Sequence, residues 1–79
     1  MRKDWKEMAA NKAAFIEGLQ TALVIDARSN LHGLAYEIDL ETKEEYIVVC
    51  FADGSHRRVP ATGNSNYANA KAILEAIYG

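Results

Sequence analysis

EEYIVVCFADGSHRRVP, Glu44 to Pro60, is the stretch from which the fold can be read. EYIVVCF is apolar on both faces, the pattern of a strand with neighbours on each side. Asp53-Gly54 is a strong hairpin signal, so SHRRVPA is expected to run antiparallel beside EYIVVCF. Pro60 has no amide proton and suits an edge strand or a strand end. A two-residue Asp-Gly turn would pair Phe51 with His56, Cys50 with Arg57, Val49 with Arg58 and Val48 with Val59.

Upstream, LAYEIDL alternates Leu34, Tyr36, Ile38 and Leu40 against Ala35, Glu37 and Asp39, a half-buried strand joined to the next through ETKE. The three strands form an antiparallel meander. One face holds Leu34, Tyr36, Ile38, Leu40, Ile47, Val49 and Phe51 and should receive helices. The other mixes Tyr46, Val48, Cys50 and Val59 with Glu37, Asp39 and Arg57, a candidate surface for a second subunit or a partner.

Helices flank the meander. In DWKEMAANKAAFIEGLQ the residues Trp5, Met8, Phe15, Ile16 and Leu19 recur at helical spacing, with Asp4 as N-cap and Glu7 as its box partner. TALVIDARSNLHG either continues this helix, since Leu19, Leu23 and Ala27 keep the stripe, or forms a strand, since Val24 and Ile25 are β-branched. The helical reading is preferred, with a stop between Asn30 and Gly33. NSNYANAKAILEAIYG is a second helix with the stripe Ala70, Ile73, Leu74 and Ile77, capped by Asn64 or Ser65. The expected architecture is an α+β single domain over 1–79: an N-terminal helix or helix pair, a three-stranded antiparallel meander, and a C-terminal helix on one sheet face.

The composition fits a small globular chain: 79 residues, 49% hydrophobic, 25% charged, net charge −2. No apolar run is long enough to cross a bilayer and the N-terminus leads into no signal-peptide core, so the expectation is a cytoplasmic protein. One cysteine, Cys50, and two separated histidines, His32 and His56, give no disulfide and no metal-ligand spacing. No cofactor and no structural metal are expected. A domain of this size buries a modest core, which favours a homo-oligomer, dimer or higher.

Charge is unevenly placed. Residues 1 to 54 carry six basic and ten acidic side chains, and residues 55 to 79 carry three basic and one acidic, giving −4 and +2. General nucleic-acid binding would call for a broad basic face, which is absent. Ser55 to Leu74 contains no acid at all, although acids usually fill the first turn of a helix. The free amides of the helix start, the hydroxyls of Thr62 and Ser65 and the backbone approach allowed by Gly63 suit a phosphate or carboxylate. Arg57 and Arg58 could supply a guanidinium, and Tyr67 or Tyr36 could stack on a base. The ligand set is then Arg57, Arg58, Thr62, Gly63, Asn64, Ser65, Asn66 and Tyr67. The same residues also suit an ordinary loop with an N-cap, and a bridge from Arg57 to Glu37 or Asp39 is an equally simple expectation. No nucleophile triad, carboxylate pair or phosphate-binding loop can be assembled, so a non-enzyme is expected.

From Glu44 to Tyr78 the chain resembles small phage and prophage proteins with an acidic-Tyr strand, an aromatic-x-Asn/Asp-Gly hairpin, a basic strand and a Val-x-Val-x-x-Asp-Ser helix start. Proteins of this look include the Thoeris anti-defence sponges, oligomeric non-enzymes that sequester a cyclic-nucleotide signal. The resemblance implies a phosphate role for Arg57, Arg58, Asn64, Ser65 and Asn66. The chain departs from the pattern at Asn64, where Asp is usual, and at Pro60, which interrupts the Val-x-Val strand. Two functions follow as expectations. One is a phage-type anti-defence protein that sequesters a phosphorylated or cyclic-nucleotide ligand. The other is a phage-encoded inhibitor or accessory module, of the anti-CRISPR kind, docking on a host protein through its half-apolar sheet face or the acids Glu37, Asp39, Glu41, Glu44 and Glu45.

Overall fold

The first helix, α1, spans Trp5–Ile25 and carries no glycine except Gly18 in a run rich in alanine and other strong helix formers. The structure is a computed structural model and describes residues 5–79; the Asp4 cap expected for α1 lies outside them. Asp26 turns extended and ends the helix, and its carboxylate accepts from the Arg28 amide at 3.0 Å. A single 3-10 turn, Ala27–Ser29, follows, and Asn30 closes it in the left-handed conformation, φ 52°. The helical reading of Thr21 to Asn30 therefore holds to Ile25, and the strand alternative does not. The buried Ser29 hydroxyl ties the junction together: it lies 2.8 Å from the carbonyl oxygens of Leu23 and Asp26 and accepts from the Leu31 amide.

Strand β1 (Leu31–Ile38) begins three residues before the expected start, with an irregularity in register between Leu31 and Gly33. A Cβ at Gly33 would stand 3.2 Å from the Gln20 Oε1 that accepts from the Leu34 amide, a tight approach that a larger residue would relieve only by shifting the Gln20 side chain. Strands β2 (Glu45–Phe51) and β3 (His56–Pro60) complete an antiparallel sheet in the order β1-β2-β3, and helix α2 (Asn66–Tyr78) follows. This is the α+β architecture expected from the patterning. No helix among the described residues is long and apolar enough to cross a membrane.

The β2–β3 register differs from the expected one by a residue. Cys50 faces His56, Val49 faces Arg57, Val48 faces Arg58 and Ile47 faces Val59. Phe51 and Ser55 close a three-residue loop, Ala52-Asp53-Gly54, with Gly54 in the left-handed region at φ 92°. Asp53-Gly54 is thus the second half of a longer turn ending in a bulge, a geometry the same dipeptide serves equally well. Because strand side chains alternate, the one-residue slip moves Val59 and Arg57 to the helix-covered face and Arg58 to the open one.

The core lies between the sheet and both helices: Ile16 of α1, Leu31, Ile47 and Val49 of the sheet, Ala61, and Ile73 of α2. Phe15, Leu19, Leu23, Leu34, Tyr36, Phe51, Val59, Ala76 and Ile77 pack around it. Three residues assigned to the apolar faces point elsewhere: Met8, Leu40 and Leu74 are exposed. Polar residues take two of the core-facing helical positions, Lys12 on α1 and Asn69 on α2.

Candidate functional site

The turn after β3 is the natural place to start. Gly63 adopts φ 76° and the Asn64 amide donates back to the Ala61 carbonyl at 3.0 Å, which brings the chain sharply into α2. The loop is held by Glu45, the first residue of β2. Its amide donates to Thr62 Oγ1 at 2.8 Å, its carbonyl accepts from the Ala61 amide at 2.8 Å, and its carboxylate Oε2 accepts from the Gly63 amide at 2.9 Å. The other carboxylate oxygen receives Lys12 Nζ at 2.7 Å and the Tyr36 hydroxyl at 2.6 Å. Glu45 is only 4% exposed and Lys12 8%.

An anion therefore does sit against this loop, and it is the protein's own. Burial opposes ionisation of Glu45, but the Gly63 amide, Lys12 and the Tyr36 hydroxyl together outweigh it and hold the carboxyl below the usual carboxylate range. Tyr36 responds in the opposite sense: its burial and its bond to Glu45 push the phenol well above the ordinary tyrosine value. Glu45 was expected on an acidic docking surface; it faces inward because it occupies the same strand face as Ile47 and Val49.

Ser65, Asn66 and Tyr67 form the remaining start of α2. Ser65 is the N-cap, in extended conformation, and its hydroxyl accepts from the Ala68 amide at 3.1 Å. No acid occupies the first turn, and the amides of Asn66 and Tyr67 have no intrahelical acceptor, as at any helix start.

The arginines do not converge on that start. Arg57 lies on the helix-covered face at the β3 edge, beside a shallow groove lined by Ala72, Glu75 and Ala76, two to three turns along α2. Arg58 projects on the open face, its guanidinium 3.9 Å from the centre of the Tyr46 ring and 4.0 Å from Glu37 Oε1. The cross-sheet partner of Glu37 is thus Arg58 and not Arg57. The eight residues of the expected ligand set separate into three groups: Thr62, Gly63 and Asn64 in the loop, Ser65 to Tyr67 at the helix start, and an arginine on each side of β3.

The open sheet face is the second candidate. Since both helices pack on the face of Ile47 and Val49, no element among the described residues covers the opposite face. It consists of three cross-strand rows, Gly33–Cys50–His56, Ala35–Val48–Arg58 and Glu37–Tyr46–Pro60. Tyr46, Val48 and Cys50 are half-buried, flanked by more exposed polar neighbours. Next to this face the β1–β2 turn displays Asp39, Glu41 and Glu44. Asp39 accepts from the amides of Glu41 and Thr42, which keeps its carboxyl below the ordinary range, and Glu44 accepts from the Tyr46 hydroxyl at 2.9 Å. Lys43, at φ 65°, turns its ammonium over the Trp5 ring at 4.1 Å and so fastens this turn to the start of α1.

Compared with protein-family models, with curated proteins and with solved structures, the chain matches none. The case for function accordingly rests on these surfaces.

Proposed function

We propose that the chain is a non-catalytic protein-binding module that docks through the uncovered face of its sheet together with the acidic β1–β2 turn. The observation that carries this reading is the three-row face itself, an apolar centre of Ala35, Val48 and Cys50 beside a Tyr46–Arg58–Glu37 stack, with no element among the described residues laid across it. Tyrosine and arginine over an apolar centre are the residue types that dominate binding energy at interfaces. Glu37, Asp39, Glu41 and Glu44 at one corner select a partner whose matching surface is apolar with a basic rim, and they would speed association at low salt. In this reading the chain serves as an inhibitor or accessory subunit.

The test compares capture of protein partners by the wild-type chain and by Val48→Glu and Glu41→Lys/Glu44→Lys variants, each checked for unchanged circular dichroism. A stoichiometric partner held by the wild type should be lost with Val48→Glu and weakened by the charge reversal, with the weakening steepest at low ionic strength. A partner that binds both variants as well as the wild type would sink the proposal.

The acid-free first turn of α2 favours a second reading, in which a phosphorylated or cyclic-nucleotide ligand is sequestered at Ser65, Asn66 and Tyr67. Its contact set is smaller than the sequence suggests, because Thr62 and Gly63 already serve Glu45. A thermal-shift series with nucleotides, cyclic oligonucleotides and cyclic ADP-ribose isomers tests it. The melting temperature should rise for the wild type and not for Asn66→Asp; a flat series at millimolar ligand removes this reading.

A further inference from the structure

A different surface carries an inference of its own. On the outward side of α2 the residues Tyr67, Ala70, Lys71, Leu74, Glu75 and Tyr78 line one shallow, largely apolar depression. Their large side chains are unusually open: Tyr67 is 79% exposed, Leu74 41% and Tyr78 47%. Spacings of three and four residues place them on one side of the helix. The Tyr78 ring is not free to move away, since its hydroxyl donates to Asp26 Oδ2 at 2.7 Å, which anchors the end of α2 to the end of α1.

The six residues are spaced symmetrically about the midpoint of the stripe, between Ala72 and Ile73. An antiparallel copy centred on that point sets Tyr67 level with the partner's Tyr78, Ala70 within one residue step of Leu74, and Lys71 within one residue step of Glu75. Each half of the stripe holds what the other lacks. The first half has a small side chain and a cation; the second has a large side chain and an anion. An antiparallel neighbour brings Leu74 over Ala70, Lys71 toward the partner's Glu75, and tyrosine against tyrosine at both ends. The stripe carries one cation and one anion, so it has no charge bias toward a strongly acidic or basic partner, while it is complementary to itself.

We propose that the outer face of α2 is an isologous homodimer interface, in which two copies of the chain pair antiparallel through Tyr67, Ala70, Lys71, Leu74, Glu75 and Tyr78. An isologous contact requires one patch to be its own complement, and this is what the symmetric placement of Lys71 and Glu75 and of Ala70 and Leu74 supplies. Ala70 allows the helices to approach to about 8–10 Å. The stripe covers 11 residue steps, about 17 Å of helix, which puts the interface in the small class and the monomer–dimer equilibrium at micromolar concentrations. The dimer leaves the open sheet face free and is independent of what binds there.

Sedimentation equilibrium of the full chain from about 1 to 500 μM tests the pairing in the concentration range expected of a small interface. The wild type should pass from monomer to dimer across this range. Leu74→Asp, an exposed position whose change leaves the core intact, should remain monomeric with unaltered circular dichroism. Lys71→Glu alone sets four acids together and should weaken dimerisation at least tenfold, whereas Lys71→Glu combined with Glu75→Lys should restore it. A wild type that stays monomeric throughout overturns the proposal. So does a dimer that survives Leu74→Asp, or a charge exchange that fails to recover pairing.

Discussion

A carboxylate 4% exposed at the head of the central strand would cost several kcal/mol if it stood alone, and Glu45 does not. Lys12, Tyr36 and the Gly63 amide satisfy both of its oxygens. Lys12→Met should therefore lower the unfolding free energy by about 3–5 kcal/mol in urea titration, because it strands a buried charge. Adding Glu45→Gln should recover much of that loss, since a neutral amide can accept from the Gly63 amide through its oxygen and donate to the Tyr36 hydroxyl oxygen through its NH2. The folded-state pKa of Glu45 is depressed, so its stabilisation is complete above its ordinary value of 4.5 and fades as pH falls through the lower folded value. Glu45→Gln should flatten stability against pH in that acid window; an acid limb equal to that of the wild type would contradict the assignment. Tyr36 works at the other end. Its pKa is raised, so the wild type should begin to lose stability as pH climbs past about 10, where the unfolded phenol ionises, and Tyr36→Phe should lack that limb.

Asn69 is the other buried polar residue of note. It is 0% exposed and neither its amide nitrogen nor its oxygen has a hydrogen-bond partner among the described residues. Asn69→Leu keeps the heavy-atom shape and removes two unpaired polar atoms, so it should raise stability by about 1–3 kcal/mol. A fall in melting temperature would mean that a buried water or ligand satisfies Asn69 in solution. The sequence reading singled out neither Lys12 nor the inward place of Glu45, which it set on an outward acidic surface, although the signal was there. Lys12 lies on the stripe of Ile16, Leu19 and Leu23, and Glu45 alternates with Ile47 and Val49, so each polar residue falls on a core-facing position. What periodicity alone does not reveal is that they meet, because 33 residues separate them.

At the scale of elements, the caps and turns follow local chemistry and the register does not. Ser65 was recognisable as an N-cap, and Ser65→Ala should cost about 1 kcal/mol by removing the acceptor for the Ala68 amide. Placing an acid in the first turn, as in Asn66→Asp, should stabilise the empty helix start by a few tenths of a kcal/mol at low salt. Asn30 in the left-handed cap of the 3-10 turn was equally readable, as a residue suited to that conformation. The hairpin was not. Asp-Gly is compatible with two-residue and three-residue loops, and the choice fell to packing: only the three-residue loop puts Val59 opposite Ile47, on the side the helices cover. Deleting Ala52 leaves Asp53-Gly54 as a two-residue turn closing the same Phe51–Ser55 pair, so β3 should keep its register with Val59 opposite Ile47. The melting temperature should then stay close to that of the wild type.

On the scale of the whole molecule, stability rests on a small core, six buried apolar residues among those described. Ile47 and Ile73 are completely enclosed, one in the central strand and one in α2, so Ile47→Ala or Ile73→Ala should cost about 2–5 kcal/mol. Small domains have a total stability of that order, and either variant should be largely unfolded at 37 °C. The proposed pairing through α2 would add to this margin by mass action, so the wild-type melting temperature should climb with protein concentration.

The α+β architecture, the meander, the inward set Leu34, Tyr36, Ile47 and Val49, and a helix start at Asn64 or Ser65 were determined by sequence alone, because periods of 2 and 3.6 residues and capping chemistry are local properties. Which face of β3 each arginine takes, the inward turn of Glu45 toward Lys12, and the outward turn of Leu74 were decided only in three dimensions. Each depends on how helices and strands far apart in the chain divide one small core, and that division sets the loop length, the ion pair and the exposed stripe together.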